Sequence, residues 1–417
     1  MDVDDGFVCE DAAVPTPSAT TTPPTIAGQA NARRAECRVA PRHIGYAPRK
    51  LIARPELVEH AVASARHQSP LRYPGAKSAL TPTIGRILRA AKQSPSVRDI
   101  ELLVEPFAGG ASTSLRMAGE GIVNRILLAD ADPLIAAFWQ VAASDTDRLI
   151  DRARDEWTRY VTRGGSTAVA RWDYWKNWAP PAGSTERSAR FDAAMRCLFL
   201  NRTTFSGILH GKAGPIGGRT QKSQYKLGCR WNVDDIEQRL GYVGALYKAG
   251  RLVDVWCMDW RQTLDEIPER YSQLIPSRVI AYLDPPYIEK SATLYRRSFD
   301  PRGGYAAGPV DDLDWNEQLP HEKLASYLTK KAQFRWLLSY DAHPMLTECA
   351  LYYAAGRMSP SKEDKEALGI HSWQISKRLI GTKYSAYSRT GRRLADELLI
   401  TTLPPGTVPQ DNELRPL

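Results

Sequence analysis

The residues most suited to chemistry in this sequence are the tetrapeptide Asp284-Pro285-Pro286-Tyr287. Its two prolines fix φ and remove two backbone N–H donors, so the turn is stiff and its carbonyl groups face whatever lies above it. A carboxylate, a rigid carbonyl and an aromatic ring then project together, and they can accept hydrogen bonds from an amino group and stack on a flat base. The structural alternative is a turn that closes a strand, with the tyrosine as packing.

The elements around this turn predict where it lies. The apolar run Val279–Leu283 precedes it directly and is typical of a buried parallel strand. Short apolar runs alternate with helical patterns from Leu71 onward, which indicates an α/β fold with a parallel sheet. Ligands in such sheets bind beyond the carboxyl ends of the strands, where the tetrapeptide falls. The predicted strands are Glu101–Glu105, Arg125–Ala129, Leu252–Cys257, Val279–Leu283, Phe334–Ser339 and Glu397–Thr401. The predicted helices are Lys77–Ala91, Ser112–Met117, Pro133–Ala143, Asp145–Tyr160, Ala189–Leu200, Val233–Lys248 and His321–Thr329.

Small residues follow the first predicted strand, in the segment Pro106-Phe107-Ala108-Gly109-Gly110-Ala111-Ser112. They let a ligand approach the backbone in front of a helix N-terminus, although a plain tight turn fits as well. Asp130 ends the second predicted strand, about 20 residues after the glycines, where a carboxylate can accept hydrogen bonds from ribose hydroxyls. Asp132 is expected to cap the helix that starts at Pro133, or to share the role of Asp130.

Other charged residues lie near the remaining strand ends. Asp259 follows the third predicted strand and could accept a hydrogen bond from the amino group of a cofactor adenine. Tyr73 and Lys77 flank a tight turn before the first helix, and the lysine could neutralise a carboxylate. Trp172, Trp175 and Trp178 recur every third residue, which favours a packed helix face over a stacking platform. His321 opens a helix and is expected to be structural.

Residues 193–233 contain no Asp or Glu and are rich in cations interleaved with Phe205, Tyr225 and Trp231. This composition predicts a surface that contacts phosphates, while a solvated basic loop stays open as the alternative. The residues predicted to contact phosphates are Asn201, Arg202, Lys212, Arg219, Lys222, Lys226 and Arg230.

Composition bounds the possibilities further. The chain has 417 residues, 43% of them hydrophobic, and a formal net charge of +9, which suits a polyanionic partner. Its six cysteines form no CxxC pair or zinc-like spacing, so we expect reduced thiols and no metal site. No apolar run reaches the roughly 18 residues of a membrane span, and the N-terminus does not resemble a secretory signal. We therefore expect a cytoplasmic protein without a membrane partner.

The ordered set of motifs resembles the Dam-type, alpha-group DNA adenine methyltransferases. The resemblance runs from about Leu71 to Thr402 and rests on Tyr73-Pro74-Gly75-Ala76-Lys77, Glu105-Pro106-Phe107-Ala108-Gly109-Gly110, Asp130, Phe199–Gly207, Asp259, Asp284-Pro285-Pro286-Tyr287, Leu337–Asp341 and Glu397–Thr401. Ala76 and Ala111 stand where many relatives carry glycine.

The resemblance implies a Rossmann-like, S-adenosylmethionine-dependent methyltransferase sheet with helices on both faces. It implies transfer of a methyl group to the exocyclic amine of a flipped-out adenine in double-stranded DNA. The implied catalytic residues are Asp284, Pro285, Pro286 and Tyr287, and the implied cofactor-binding residues are Tyr73, Lys77, Glu105, Phe107, Gly109, Asp130 and Asp259.

The expected organisation is a disordered tail over residues 1–68 and a catalytic domain over 69–142 and 249–403. Residues 143–248 are expected to form an inserted, mainly helical target-recognition region, and residues 404–417 a loose tail. We expect a monomer of bacterial or phage origin, either solitary or paired with a restriction endonuclease. Two other functions stay open: methylation of a different amino group, on cytosine, RNA or a protein amide, and DNA binding without catalysis.

Overall fold

The computed structural model describes residues 69–72, 80–97, 99–211, 213–287, 298–299, 305–306, 320–347, 352, 373–384 and 393–417. The predicted tail over 1–68 lies outside these residues, as do Tyr73, Lys77 and Lys212. The described residues place ten strands, namely β1 (Leu102–Glu105), β2 (Arg125–Ala129), β3 (Leu252–Trp256), β4 (Val279–Leu283), β5 (Ser298–Phe299), β6 (Tyr305–Ala306), β7 (Arg335–Asp341), β8 (Ser376–Tyr384), β9 (Arg393–Thr401) and β10 (Leu414–Pro416).

Eight of these strands form the main sheet, in the order β10-β8-β9-β7-β4-β1-β2-β3, while β5 and β6 pair separately. The strands β3, β2, β1, β4 and β7 are parallel, and β8, β9 and β10 join through antiparallel ladders. The prediction of a parallel sheet is therefore correct for the central strands and wrong for Glu397–Thr401. That segment is the end of β9, a long strand inserted antiparallel between β7 and β8.

The helices among the described residues are α1 (Thr81–Ala91), α2 (Ser112–Gly119), α3 (Pro133–Ser144), α4 (Thr146–Glu156), α5 (Gly165–Asn177), α6 (Glu186–Thr203), α7 (Val233–Lys248), α8 (Trp260–Arg270), α9 (Pro320–Lys330) and α10 (Pro344–Thr347). All seven predicted helices are present with small shifts of their ends. The predicted helices did not include α5, α8 or the short α10, although the spacing of the tryptophans from Trp172 onward indicated a helix face in the region of α5. The helices α3 to α7 lie between β2 and β3, and the described part of this interval adds no strand to the main sheet.

Both faces of the central strands are buried, as expected for a doubly wound sheet. Leu103 and Ile280 contribute to a core that includes α1 to α7, whereas Val104 and Ala281 contribute to a core with α8 and α9. This alternation follows from the two-residue period of a strand. The fold is the predicted Rossmann-like α/β fold with helices on both faces.

The C-terminal residues are not a loose tail. Leu414 is fully buried in β10, which pairs with β8, and Val408 is buried beside the same core. Arg86 on α1 forms ion pairs with Asp411 at 2.6 Å and Glu413 at 3.0 Å. The proline content suggested a mobile end, but one buried leucine and a short edge ladder attach it to the sheet.

Candidate active site and nucleic-acid interface

The carboxyl ends of β1 and β4 lie side by side at the centre of the sheet. Strand β1 pairs with β2 on one side and with β4 on the other, and Val104 lies opposite Ala281. The chain runs outward in opposite directions from these two strands, so the sheet has its topological switch point here. Ligands of open α/β sheets bind in the crevice at this position.

The loop after β1 is shaped for close approach to its backbone. Gly109 has φ of +43° and Ala111 has φ of +47°, and Ala111 precedes α2 without a side-chain cap. The left-handed conformation of Ala111 explains why glycine suits this position, since an L side chain there costs roughly 1 kcal/mol or more. The Gly109 N–H donates to Asp130 Oδ2 at 2.8 Å, and its carbonyl accepts from Trp139 Nε1 at 2.9 Å. The loop is therefore held rigidly against β2 and α3.

Glu105 ends β1 as a buried carboxyl group. Its pKa is raised from the ordinary 4.5 to about 8, chiefly by burial and also by the carboxylates of Asp284 and Asp130, against the lowering effect of the hydrogen bonds from Ser114. The Ser114 backbone N–H lies 3.3 Å from Glu105 Oε2. Glu105 is thus protonated in much of the apo protein at neutral pH, beside the loop and the tetrapeptide. Phe107 is half-buried and packs on the same side as Tyr287.

Asp130 ends β2 and is 3% exposed. Its two carboxylate oxygens accept from the backbone N–H groups of Gly109 and Asp132, both at 2.8 Å. Its pKa is raised to about 7, chiefly by burial and also by the charge of Asp132, against the lowering effect of the two backbone hydrogen bonds. Asp132 caps α3 through Leu134 N at 2.9 Å, as predicted, and its other oxygen contacts His210 Nε2.

Asp259 caps α8. Its Oδ1 accepts from Arg261 N and Gln262 N, both at 2.9 Å, and the Gln262 side chain returns a contact to the Asp259 backbone in a capping box. The sequence argument assigned this carboxylate to a cofactor adenine and did not predict the helix. Its observed role is the N-cap.

The tetrapeptide follows β4, as predicted. Asp284 is half-buried and its Oδ1 accepts from Ser339 Oγ at 3.1 Å. Tyr287 is 7% exposed, and its hydroxyl donates to Glu397 on β9. The structure therefore brings Glu105, Phe107, Gly109, Asp130 and Asp284 to one edge of the sheet.

The structure disagrees with the predicted DNA contacts of Asn201 and Arg202. Both residues are buried, with 0% and 4% of their surface exposed. Asn201 Oδ1 accepts from Arg72 N at 2.6 Å, and its amide donates to Arg72 O at 2.8 Å. Arg202 Nε donates to Pro70 O at 2.9 Å, and burial lowers the pKa of its guanidinium. Both side chains anchor residues 70–72 to the end of α6, because buried donors and acceptors need internal partners.

Apart from Lys212, which lies outside the described residues, the other predicted DNA-contacting residues lie in a loop organised by Gln221. This side chain is 7% exposed; its amide donates to Ile216 O at 2.8 Å, and its Oε1 accepts from Leu227 N at 2.8 Å. Lys222, Lys226 and Arg230 are exposed around it. Lys226 Nζ donates to Gln221 O at 2.5 Å, and Arg219 pairs with Asp173 at 2.7 Å. We name residues 216–230 the basic loop.

The aromatic residues of this region fall into two groups. Phe205 and Tyr225 are 63% and 59% exposed, as a base- or sugar-contacting surface requires, whereas Trp231 is buried against Phe199 with ring centroids 5.3 Å apart. Trp172 and Trp175 are buried on α5, which confirms the packed-face prediction. His321 is also structural: it is buried, and its Nδ1 lies 2.8 Å from the Tyr340 hydroxyl.

Sequence reasoning missed the side chains that contact the site from other elements. Ser339 and Glu397 reach the tetrapeptide from β7 and β9, and His210 reaches Asp132 from the segment after α6. Their positions depend on strand order and on loop packing, which no local pattern encodes. Among the residues the structure describes, no group of three or more His, Cys, Asp or Glu side chains could hold a metal ion. No described helix is long and apolar enough to cross a membrane.

Part of this edge lies in a segment that matches a known protein family. Residues 73–220 match the family model of the D12 class N6 adenine-specific DNA methyltransferases. The match spans the glycine loop, Asp130 and the start of the basic loop, and it ends before the tetrapeptide. A search of curated proteins found no match. Residues 73–220, which carry the glycine loop and Asp130 within the Rossmann-like sheet, are therefore similar to the D12 class N6 adenine-specific DNA methyltransferases, a family that methylates adenine in DNA.

Proposed function

We propose that Asp284, Pro285, Pro286 and Tyr287 are the catalytic residues and that the carboxyl ends of β1, β2 and β4 hold S-adenosylmethionine beside them. The proposal rests on one observation. Glu105 ends β1 and Asp284 follows the adjacent strand β4 at the switch point, so the glycine loop and the tetrapeptide share one crevice.

The buried carboxyl groups suit a cationic cofactor. Glu105 and Asp130 have raised pKa values because burial disfavours their charged forms, and a cation beside them would restore those forms. Gly109 and Ala111 let the backbone approach a ligand closely. When bound, S-adenosylmethionine supplies an electrophilic methyl group on a sulfonium centre. Glu105, Phe107, Gly109 and Asp130 would hold it, together with Tyr73 and Lys77.

Asp259 retains a proposed contact with the cofactor adenine. A carboxylate offers about four lone-pair sites, so the two N–H groups of the helix cap leave the contact compatible with the observed geometry.

Asp284 and the Pro285 carbonyl orient the adenine amine. The nitrogen is a poor nucleophile because its lone pair is delocalised into the ring. Acceptance of its two N–H groups by a carboxylate and a rigid carbonyl favours a pyramidal nitrogen with its lone pair directed outward, toward the methyl group. This is orientation and electrostatic stabilisation, and the carboxylate is held in place before the substrate arrives.

The adenine must leave the duplex to reach this crevice, at a cost of a few kcal/mol. Stacking on Tyr287 would return about 1–3 kcal/mol of it. The hydroxyl of Tyr287 is tied to Glu397, which fixes the ring for this purpose. Lys212, Arg219, Lys222, Lys226 and Arg230 would contact phosphates, with Phe205 and Tyr225 exposed nearby.

We further propose that residues 69–142 and 249–403 form the catalytic domain and that 143–248 recognise the target sequence. The helical content of α4 to α7, inserted between β2 and β3, supports this division. The remaining proposals are a monomer that works in the cytoplasm of a bacterium or on behalf of a phage, either solitary or paired with a restriction endonuclease.

Asp284→Ala tests the catalytic assignment. We expect single-turnover methylation to be abolished, while cofactor affinity, DNA affinity and thermal unfolding stay close to those of the unmodified enzyme. Asp265→Ala on α8 is a control that removes a carboxylate bonded to Tyr327, outside the tetrapeptide. Near-normal methylation by Asp284→Ala would refute the mechanism.

A further inference from the structure

Two buried hydroxyl groups lead to the carboxylate of Asp284. Ser339 Oγ donates to Asp284 Oδ1 at 3.1 Å, and the Tyr282 hydroxyl lies 3.0 Å from Ser339 Oγ. Thr113, the second residue of α2, lies near the Tyr282 hydroxyl and lowers its pKa. These three hydroxyl-bearing side chains are at most 2% exposed. Water therefore does not compete for their hydrogen bonds.

The sheet explains why these groups meet. The register places Leu283 of β4 opposite Leu338 of β7, so Ser339 lies beside Asp284. Tyr282 and Asp284 are two residues apart and project from the same face. Thr113 reaches this face because α2 begins directly beyond the glycine loop.

The number of hydroxyl protons determines which group donates in each of these hydrogen bonds. An ionised carboxylate only accepts, so the single Ser339 proton is committed to Asp284. Ser339 can then only accept from Tyr282, so the Tyr282 hydroxyl donates to Ser339. Burial raises the pKa of Tyr282 well above its usual value, which keeps the phenol protonated as a donor. Hydrogen bonds aligned in one direction polarise one another and rigidify the group at their end.

We propose that Ser339 is a positioning residue for methyl transfer, that Tyr282 acts through it, and that the two fix the Asp284 carboxylate against the adenine amine. The inference rests on the proposed catalytic role of Asp284.

The test compares Ser339→Ala, Tyr282→Phe and the double variant in single-turnover methylation at saturating DNA and cofactor. Ser339→Ala should lower the rate by roughly 10- to 100-fold, since it removes a hydrogen bond to a charged group. Tyr282→Phe should lower it less. The double variant should match Ser339→Ala alone, because Tyr282 acts only through Ser339. Affinities for cofactor and DNA should not change, which a purely structural defect would not reproduce.

Tyr242→Phe is the matched control, because it removes another buried tyrosine hydroxyl, bonded to Leu115 O at 2.8 Å. It should leave the rate unchanged. If Ser339→Ala does not fold, Tyr282→Phe carries the test, since the ring remains in place. A normal rate for Tyr282→Phe, or losses that add in the double variant, would overturn the inference.

Asp284→Ala distinguishes a failure of the proposed function from a failure of the positioning role of Ser339. Activity in Asp284→Ala would refute the proposed function itself. An inactive Asp284→Ala beside a fully active Ser339→Ala would refute only the positioning role.

Discussion

Glu105→Gln should stabilise the protein at alkaline pH and weaken cofactor binding. The folded-state pKa of Glu105 is about 8 against an ordinary 4.5, mainly because of burial. Between these pH values the folded state binds more protons than the unfolded state, so the free energy of unfolding falls as pH rises through this window. The full pKa difference corresponds to about 5 kcal/mol, the upper limit of the effect.

Glu105→Gln lacks this titration because glutamine is neutral. Glutamine also fills a similar volume, so the packing around it should be kept. We expect little difference in the free energy of unfolding near pH 5 and a gain for Glu105→Gln that grows toward pH 9. Denaturant unfolding at several pH values from 5 to 9 measures it. The comparison of the two proteins at each pH cancels the titration of most other groups.

Glu156→Gln provides the matched control, because Glu156 is equally buried but ion-paired. Its carboxylate accepts from Arg171 Nε at 2.7 Å and lies 3.3 Å from Arg152 Nη2. This substitution should destabilise the protein at every pH by about 3 kcal/mol, since it leaves a guanidinium without its counter-charge. Parallel pH profiles for Glu105→Gln and the unmodified protein would refute the reasoning about Glu105.

Glu105→Gln should also lower affinity for S-adenosylmethionine, because it removes a carboxyl group that would ionise beside the bound cation. Calorimetry in buffers of different ionisation enthalpy should show proton release near neutral pH for the unmodified enzyme and less for Glu105→Gln. Unchanged affinity and unchanged proton release would remove Glu105 from the cofactor site.

Two further predictions concern the basic loop and the C-terminal strand. Lys222→Gln with Lys226→Gln should weaken DNA binding and reduce the slope of log affinity against log salt by about 2. The control pair Lys330→Gln with Lys331→Gln removes two exposed cations where α9 ends before β7, and it should leave the slope unchanged. Equal slopes for the two pairs in a salt titration would exclude the basic loop from the interface. Leu414→Ala should lower the free energy of unfolding by about 2–4 kcal/mol, because Leu414 is fully buried where β10 meets β8; a loss below about 0.5 kcal/mol in denaturant unfolding would indicate a loose terminus.

The central part of the fold was predictable because its signals are local. The runs Arg125–Ala129 and Val279–Leu283 are strands with the predicted bounds, and Val233–Lys248 is a helix with the predicted bounds. The antiparallel β8 and β10 were not predicted, since their pairing depends on contacts distant in sequence. The charged and proline-containing pattern of Trp260–Arg270 hid α8, although Asp259 and Gln262 form a capping box that sequence could have revealed.

The candidate site was predictable where a strand end fixes a residue, as for Glu105, Asp130 and Asp284. It was not predictable where burial decides the role. Asn201 and Arg202 lie in a basic, acid-free segment, yet they bond the backbone of residues 70–72 inside the protein. Composition alone cannot separate a solvent-facing arginine from one that neutralises buried carbonyls. Ser339 became visible only when the sheet order placed β7 beside β4.

The most direct test of the central claim is mass spectrometry of nucleosides from DNA methylated in vitro. Double-stranded DNA of mixed sequence would be incubated with methyl-labelled S-adenosylmethionine and either the unmodified enzyme or Asp284→Ala, then digested. We expect label in N6-methyl-2′-deoxyadenosine with the unmodified enzyme and no label with Asp284→Ala. Label in a cytosine product, or N6-methyladenine formed equally by Asp284→Ala, would contradict the account.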